Sequence, residues 1–241
     1  MPTRELGFEE FKGLVCLSLE DMSRELYKGN RSSIKIKKEQ VAVKNLMKII
    51  QAALTLSNKK GFAAMSLRDL SREAGLSMGA LYTYFTSKED LLHMIQRQSA
   101  VVFRVLLEQI EGVDDPVQRL RRAIRTHLFL SEILQNWFYF TYMEAKNLAK
   151  EEQKKAIEGE LATERIFVDI IRDGTARGVF RECDSELMAA LIKAMLQDWY
   201  LKRWKYRKRK TDVESYAAFV ADMVQAYMAV QGDTREGGAL T

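Results

Sequence analysis

Apolar side chains recur at spacings of three and four along most of the chain, the period of a helix that buries one face. Phe8, Phe11, Val15, Leu19, Met22 and Leu26 predict a helix over 8–27. The stretch KGNRSSIKIKK at 28–38 interrupts the pattern with Gly29, Asn30, Ser32 and Ser33 and reads as a loop or arm. Val43, Leu46, Met47, Ile50, Ala53 and Leu54 predict a helix over 40–58 that Gly61 stops. The capping box Ser66-Leu67-Arg68-Asp69 starts a short helix to Ala74, with Gly75 as its stop. Ser77 caps a further short helix to about Phe85. Ser87-Lys88-Glu89-Asp90 is another capping box and opens a long helix with the face Leu91, Leu92, Ile95, Val102, Val105 and Leu106.

The second half continues in the same period. Asp115-Pro116 is a cap with proline at the first helical position, and the helix carries Leu120, Ile124, His127, Leu128 and Leu134. Helices over 136–148 and 151–172 follow, and Gly174 and Gly178 break the chain before Val179-Phe180. Asp184 caps a helix over 185–210, Asp212 caps the last to about Val230, and 231–241 should fray. Composition agrees with an all-α fold. Hydrophobic residues make up 47% of the 241 residues, enough for a packed core, and the only prolines are Pro2 and Pro116. Two distant cysteines, Cys16 and Cys183, argue against a disulfide framework and a cysteine-based zinc site. With His93 and His127 the only histidines, no metal and no cofactor is expected. No apolar run is long enough for a membrane span, and the charged N-terminus does not read as a signal peptide, so the expected compartment is the cytoplasm.

The formal net charge is +5, and all of the excess sits in the first half. Residues 28–88 hold 12 basic and 3 acidic side chains, a net of +9, whereas 111–241 is neutral with 21 of each. That asymmetry fits a polyanion partner, although a solvated basic face would show the same count. Within this region, SLRDLSREAGLSMGALYTYF at 66–85 has the layout helix, glycine turn, helix, in which the second helix would enter a DNA major groove. Leu67, Leu70 and Ala74 give the first helix an apolar side, and Leu81 and Phe85 give the second its inner side. Gly79 and Ala80 are small enough for close approach to a base pair. A two-helix hairpin without DNA affinity would have the same periodicity.

The stretch GFAAMSLRDLSREAGLSMGALYTYFTSKEDLL closely resembles the DNA-binding signature of the tetracycline-repressor (TetR) family. The match runs through Gly61-Phe62, Ser66, Arg68-Asp69-Leu70, Ala74-Gly75-Leu76-Ser77, Gly79, Leu81-Tyr82, Tyr84-Phe85 and Ser87-Lys88-Glu89. The resemblance implies a homodimer on a double-stranded operator, with a three-helix head and a larger helical domain for a small-molecule effector. The implied division is an N-terminal extension at 1–39, a head at 40–87, an effector and dimerisation domain at 88–232 and a tail at 233–241. Ser66 would cap a helix and donate to a phosphate, with Arg68 beside it. Ser77, Met78, Gly79 and Ala80 would face base edges, and Thr83 a base or the backbone. Tyr82, Tyr84 and Lys88 would contact phosphates. Met65 stands where the family often has threonine, and apolar Met78 suits a thymine methyl or tight packing. The basic arm at 28–38 either reaches the minor groove or phosphates, or serves as a flexible tether.

In the effector half, 137–143 holds five aromatics in seven residues, too many for one buried face. Phe103, Phe129, Trp137, Phe140, Met143, Phe167, Met195 and Trp199 are candidate lining for an apolar pocket; ordinary core packing is the alternative for each. At 202–210 seven of nine residues are basic, with Trp204 and Tyr206 interleaved. This suits a helix C-terminus, the anionic part of an effector such as an acyl-coenzyme A, or DNA or a protein partner. The face Tyr216, Phe219, Val220, Met223 and Tyr227 supplies dimer anchors on the last helix. No nucleophile elbow, phosphate loop or cofactor fingerprint points to an enzyme. A helical protein-binding scaffold is the other alternative, disfavoured by the charge over 28–88.

Overall fold

The structure is a computed structural model that describes residues 6–15 and 17–230. The expected fraying at 231–241, and Cys16, lie outside these residues. In chain order the helices are α1 Phe8–Leu14, α2 Leu19–Gly29, α3 Glu39–Lys60, α4 Leu67–Ala74, α5 Met78–Leu81, α6 Lys88–Gln96 and α7 Ser99–Ile110. There follow α8 Pro116–Ile133, α9 Gln135–Glu144, α10 Lys150–Ala176, α11 Ser185–Leu201, α12 Arg203–Arg209 and α13 Val213–Met228. The all-α expectation holds: no strand is present among the described residues, only an isolated bridge between Phe180 and Ala229.

Three expected helices are broken. The helix over 8–27 divides because Ser18 and Asp21 form a reciprocal capping box that starts α2 afresh. The long helix from Ser87 stops at Arg97–Gln98, where Gln98 is buried and α7 begins anew. The helix over 185–210 breaks at Lys202, and Lys210 ends α12 in the left-handed conformation. Periodicity could not show these breaks, since each half keeps its apolar face.

The chain divides into two compact units. The head unit holds 6–105 and 129–160. Its core is the inner face of α3, with Leu46, Ile49, Ile50 and Leu54, against Leu70 of α4, and α4 in turn packs on α5, whose Leu81 is buried. Helix α2 is part of this core: Met22, Leu26 and Tyr27 are buried as it packs on α3. Each such side chain contributes about 1.5–3 kcal/mol of burial free energy.

The C-terminal unit holds 106–128 and the described residues from 161. Its core contains Ile124, Phe167, Ile171, Ile192, Leu196, Ala217 and Val224, all buried. The turn after α10 depends on Gly174, where a Cβ would lie 2.1 Å from the Phe180 ring. Both Val179 and Phe180 donate their backbone N–H to the Gly174 carbonyl, which seats that ring.

Candidate DNA-binding face and effector region

The head's polar residues mostly close its helix ends. Ser66 Oγ accepts from the Asp69 N–H at 3.1 Å and donates to the Asp69 carboxylate at 2.7 Å. Its hydroxyl hydrogen is therefore used inside the cap. Hydrogen bonds from Lys60 and Ser66 hold the Asp69 carboxyl well below the usual carboxylate range. Gly75 takes the left-handed conformation at φ 64°, which a side chain rarely adopts, and so makes the turn. Ser71 Oγ donates to the Leu76 carbonyl across that turn. Ser77 then caps α5 through the Ala80 N–H at 3.1 Å.

The recognition helix is shorter than its pattern suggests. Helix α5 ends at Leu81, and 82–84 continue as turns. Thr83 Oγ1 donates to the Ala80 carbonyl, and the Tyr84 N–H bonds to Leu81 three residues back. These short-range bonds tighten the last turn.

The expected DNA-contacting residues separate by exposure. Ser66, Arg68, Ser77, Gly79 and Tyr82 are exposed, and Met78, Ala80, Thr83 and Lys88 are half-buried. A Cβ at Gly79 would meet no atom within 4 Å, so nothing in the protein itself crowds this position. Tyr84 is corrected to a core residue: it is 2% exposed, and its hydroxyl accepts from Asn45 Nδ2 at 2.9 Å. Burial pushes its phenol pKa up. Lys88 donates to the Ala63 carbonyl at 2.8 Å and stands 4.9 Å from the Phe62 ring centroid. Desolvation lowers its pKa, and two of its three N–H groups remain for another partner. Met65, in place of the family's frequent threonine, is buried.

The aromatic segment of α9 is tied to the head on one side and borders a recess on another. Trp137 Nε1 donates to the Ile95 carbonyl at 3.1 Å, and Gln96 Nε2 donates to the Thr141 carbonyl at 3.1 Å. Phe140 meets Phe62 edge-on with centroids 5.6 Å apart. Buried Glu144 accepts from Ser57 Oγ and from the Phe62 N–H, each at 3.1 Å, and Asn147 also donates to it. Phe129 is met by the rings of Phe8 and Phe11 at 5.3 and 5.4 Å. Phe129 and Trp137 are thus core and mounting residues of the head unit, which corrects their expected place in a pocket, whereas Phe140 is buried against Phe62 and also lines the recess. Phe103 is half-buried, and Met143 borders the recess, of about 390 Å³, beside Glu144 and Asn147. The sequence held no signal for Glu144, a lone carboxylate after an aromatic run.

In the C-terminal unit Phe167 and Trp199 are fully buried. Trp199 stacks on Tyr216 at 5.0 Å, which fills the space expected of a cavity wall. Met195 instead lines a groove of about 620 Å³ with Leu187, Leu191, Met223 and Tyr227. Of the expected dimer anchors, Phe219, Met223 and Tyr227 are exposed, Tyr216 is half-buried and Val220 is core at 2% exposure. Exposed Leu187 and Leu191 of α11 belong to the same apolar face and were missed, because their helix reads as evenly apolar. In the basic run, Lys202, Lys205 and Tyr206 all bond the Asp198 carboxylate, whereas 207–210 stay exposed.

A capped first helix, a left-handed glycine turn and an open short second helix on a packed support define a helix-turn-helix DNA-binding regulator. A family model described as "Bacterial regulatory proteins, tetR family" matches 49–95, and "Tetracyclin repressor-like, C-terminal domain" matches 113–228. The TetR regulator PfmR of Thermus thermophilus is 31% identical, with a TM-score of 0.65, over 74% of this chain and 97% of that one. The HTH-type transcriptional regulator HbdR of Aromatoleum sp. (strain CIB) is 27% identical over 77% of this chain and 82% of its own. The fold is also that of FadR of Bacillus subtilis in complex with stearoyl-CoA, at 22% identity, TM-score 0.62 and coverage of 76% and 98%. The chain belongs to the TetR family of transcriptional regulators, which are ligand-responsive DNA-binding proteins and not enzymes. No helix among the described residues is long and apolar enough to cross a membrane.

Proposed function

We propose that the protein is a cytoplasmic, homodimeric repressor that an apolar effector with an anionic group releases from a palindromic operator. The observation that carries the DNA half is the open N-terminal end of α5, where Ser77, Met78, Gly79 and Ala80 can meet base edges. Met78 suits a thymine methyl, Arg68, Tyr82 and Lys88 suit phosphates, and Thr83 suits the backbone. The exposed apolar face of α11 and α13 supports dimerisation, with its groove filled by a second copy.

For release, the break at Arg97–Gln98 argues against one rigid lever running from Ser87. Helix α6 is bonded to α9 through Trp137 and Gln96, so a shift of α9 carries α6 and the end of α3 with it. The effector binds the state with shifted heads more tightly, and DNA binds the other. Linkage then makes DNA weaken effector affinity by the same factor, about 5–150-fold. The FadR complex with stearoyl-CoA makes acyl-coenzyme A thioesters the first candidates, with cations from 207–210 on the phosphates. Titration of such thioesters against a labelled complex with the promoter of the chain's own gene tests this reading. Release by an uncharged apolar compound, and by no thioester, removes the anionic group from it.

A further inference from the structure

The basic segment at 31–38 has no part in the helix-turn-helix, yet it is fixed to its edge. Ile34 is fully buried, and the Lys35 N–H donates to the Thr83 carbonyl at 2.9 Å, directly after α5. Tyr27 Oη donates to the carbonyls of Ile36 and Lys37 at 3.3 and 3.0 Å. Lys37 Nζ folds back along the segment and donates to the carbonyls of Arg31 and Ile34. The segment is a bonded strap rather than a tether.

What the strap leaves outward is one sign of charge. Lys28 is paired with Glu25, and Lys37 is spent on the strap itself. Arg31, Lys35 and Lys38 are exposed and have no ion-pair partner among the described residues. A backbone hydrogen bond sets the Lys35 and Thr83 chains about 5 Å apart. The Lys35 ammonium is therefore within one side-chain length of the end of the recognition helix. Lys35 beside the recognition helix, with Arg31 and Lys38 on the same strap, raises the positive potential at the edge of the head where flanking phosphates would pass.

We propose that 31–38 is a second DNA-binding element, which places Arg31, Lys35 and Lys38 on the phosphate backbone flanking each half-site. Because the strap is ordered before DNA arrives, binding costs little additional chain entropy. The proposal rests on the operator-binding reading of the head, and the experiment separates the two. Full-length protein is used to enrich a duplex from a random-sequence pool. That duplex is then made in a long form, extending well beyond the enriched core, and in a form trimmed to the core.

The triple variant Arg31→Ala, Lys35→Ala, Lys38→Ala should bind the long duplex about tenfold or more weakly than the parent. Its salt slope should fall by about 0.9 for each phosphate no longer neutralised. Trimming the flanks should weaken the parent and leave the variant unchanged. Lys35→Glu alone should also weaken binding to the long duplex, and thermal melting should show both variants folded, since the side chains face solvent. A triple variant with parental affinity and slope on the long duplex overturns the strap's role while the operator reading stands. If no sequence is enriched, the operator reading fails and the strap's role with it.

Discussion

The head unit and the C-terminal unit differ in what they leave exposed, although both close their helix ends with polar caps. In the head, Ser66, Asp69, Ser77, Thr83, Tyr84 and Glu144 are all bonded within the chain, and they hold short helices that burial alone would not fix. The C-terminal unit has longer helices and leaves Leu187, Leu191, Phe219, Met223 and Tyr227 in solvent. A surface that must fit DNA to within ångströms needs its backbone pinned by directional bonds. A surface that meets a copy of itself needs apolar area that is not yet covered.

The sharpest break of this comparison is to charge the apolar face. Leu191→Glu puts a carboxylate into the groove of α11 and α13, where a second copy would bury it at a cost of about 3–5 kcal/mol. The variant should be a monomer at micromolar concentration by light scattering, and operator affinity should fall roughly a hundredfold or more. Its helical content should not change, because Leu191 is more than half exposed. A variant that stays dimeric removes this face from the interface.

The head should fail by the loss of a hydrogen bond rather than of apolar packing. Glu144→Ala strips the acceptor from the buried Phe62 N–H and from Ser57, which costs about 1–3 kcal/mol. Thermal melting should record a midpoint lower by about 2–10 °C. Glu144→Gln keeps one acceptor oxygen and should recover most of that loss. Equal melting of all three proteins would mean that α9 does not mount the head.

The two tyrosines of the recognition segment separate folding from binding at smaller magnitude. Tyr84→Phe removes the bond to Asn45 and should lower stability by about 1 kcal/mol with operator affinity unchanged. Tyr82→Phe should do the reverse, with stability unchanged and affinity down by roughly tenfold if its hydroxyl holds a phosphate. Affinity that follows Tyr84 instead would put the DNA face on the wrong side of α5.

This pair also marks where the sequence is legible. On a helical wheel Tyr82 and Tyr84 flank the inner side of Leu81 and Phe85 symmetrically, with Thr83 opposite. The wheel fails because α5 stops at Leu81 and the tightened turn sends Tyr84 inward. The caps at Ser66 and Ser77 depend on residues three positions apart, and such local chemistry is readable, whereas the equally local cap at Ser18 is hidden by an apolar period that continues across it. The Glu144–Phe62 and Lys35–Thr83 bonds join positions 82 and 48 residues apart, and no local pattern encodes them. The aromatic run at 137–143 is too apolar for one face because Trp137 is bonded to α6, while Tyr139, Phe140 and Met143 border the recess next to α3. Leu187 and Leu191 went unread because a helix apolar all round gives no sign of which side stays wet.

The smallest expected effect tests a polar cluster in the C-terminal unit. Burial pushes the Asp198 carboxyl up, but hydrogen bonds from Lys202, Lys205 and Tyr206 outweigh it and hold the pKa at about 2. The folded state therefore binds this proton more weakly than the unfolded chain, whose carboxyl titrates near 3.9. The stabilisation is fully present above that value and is lost as pH falls through about 2. Asp198→Asn should melt lower than the parent at neutral pH, and the gap should narrow between about pH 4 and pH 2. High salt should shrink the gap only in part, since the side chain is about one-fifth exposed. A gap that stays constant down to pH 2 would mean that Asp198 joins α11 to α12 by shape rather than by charge.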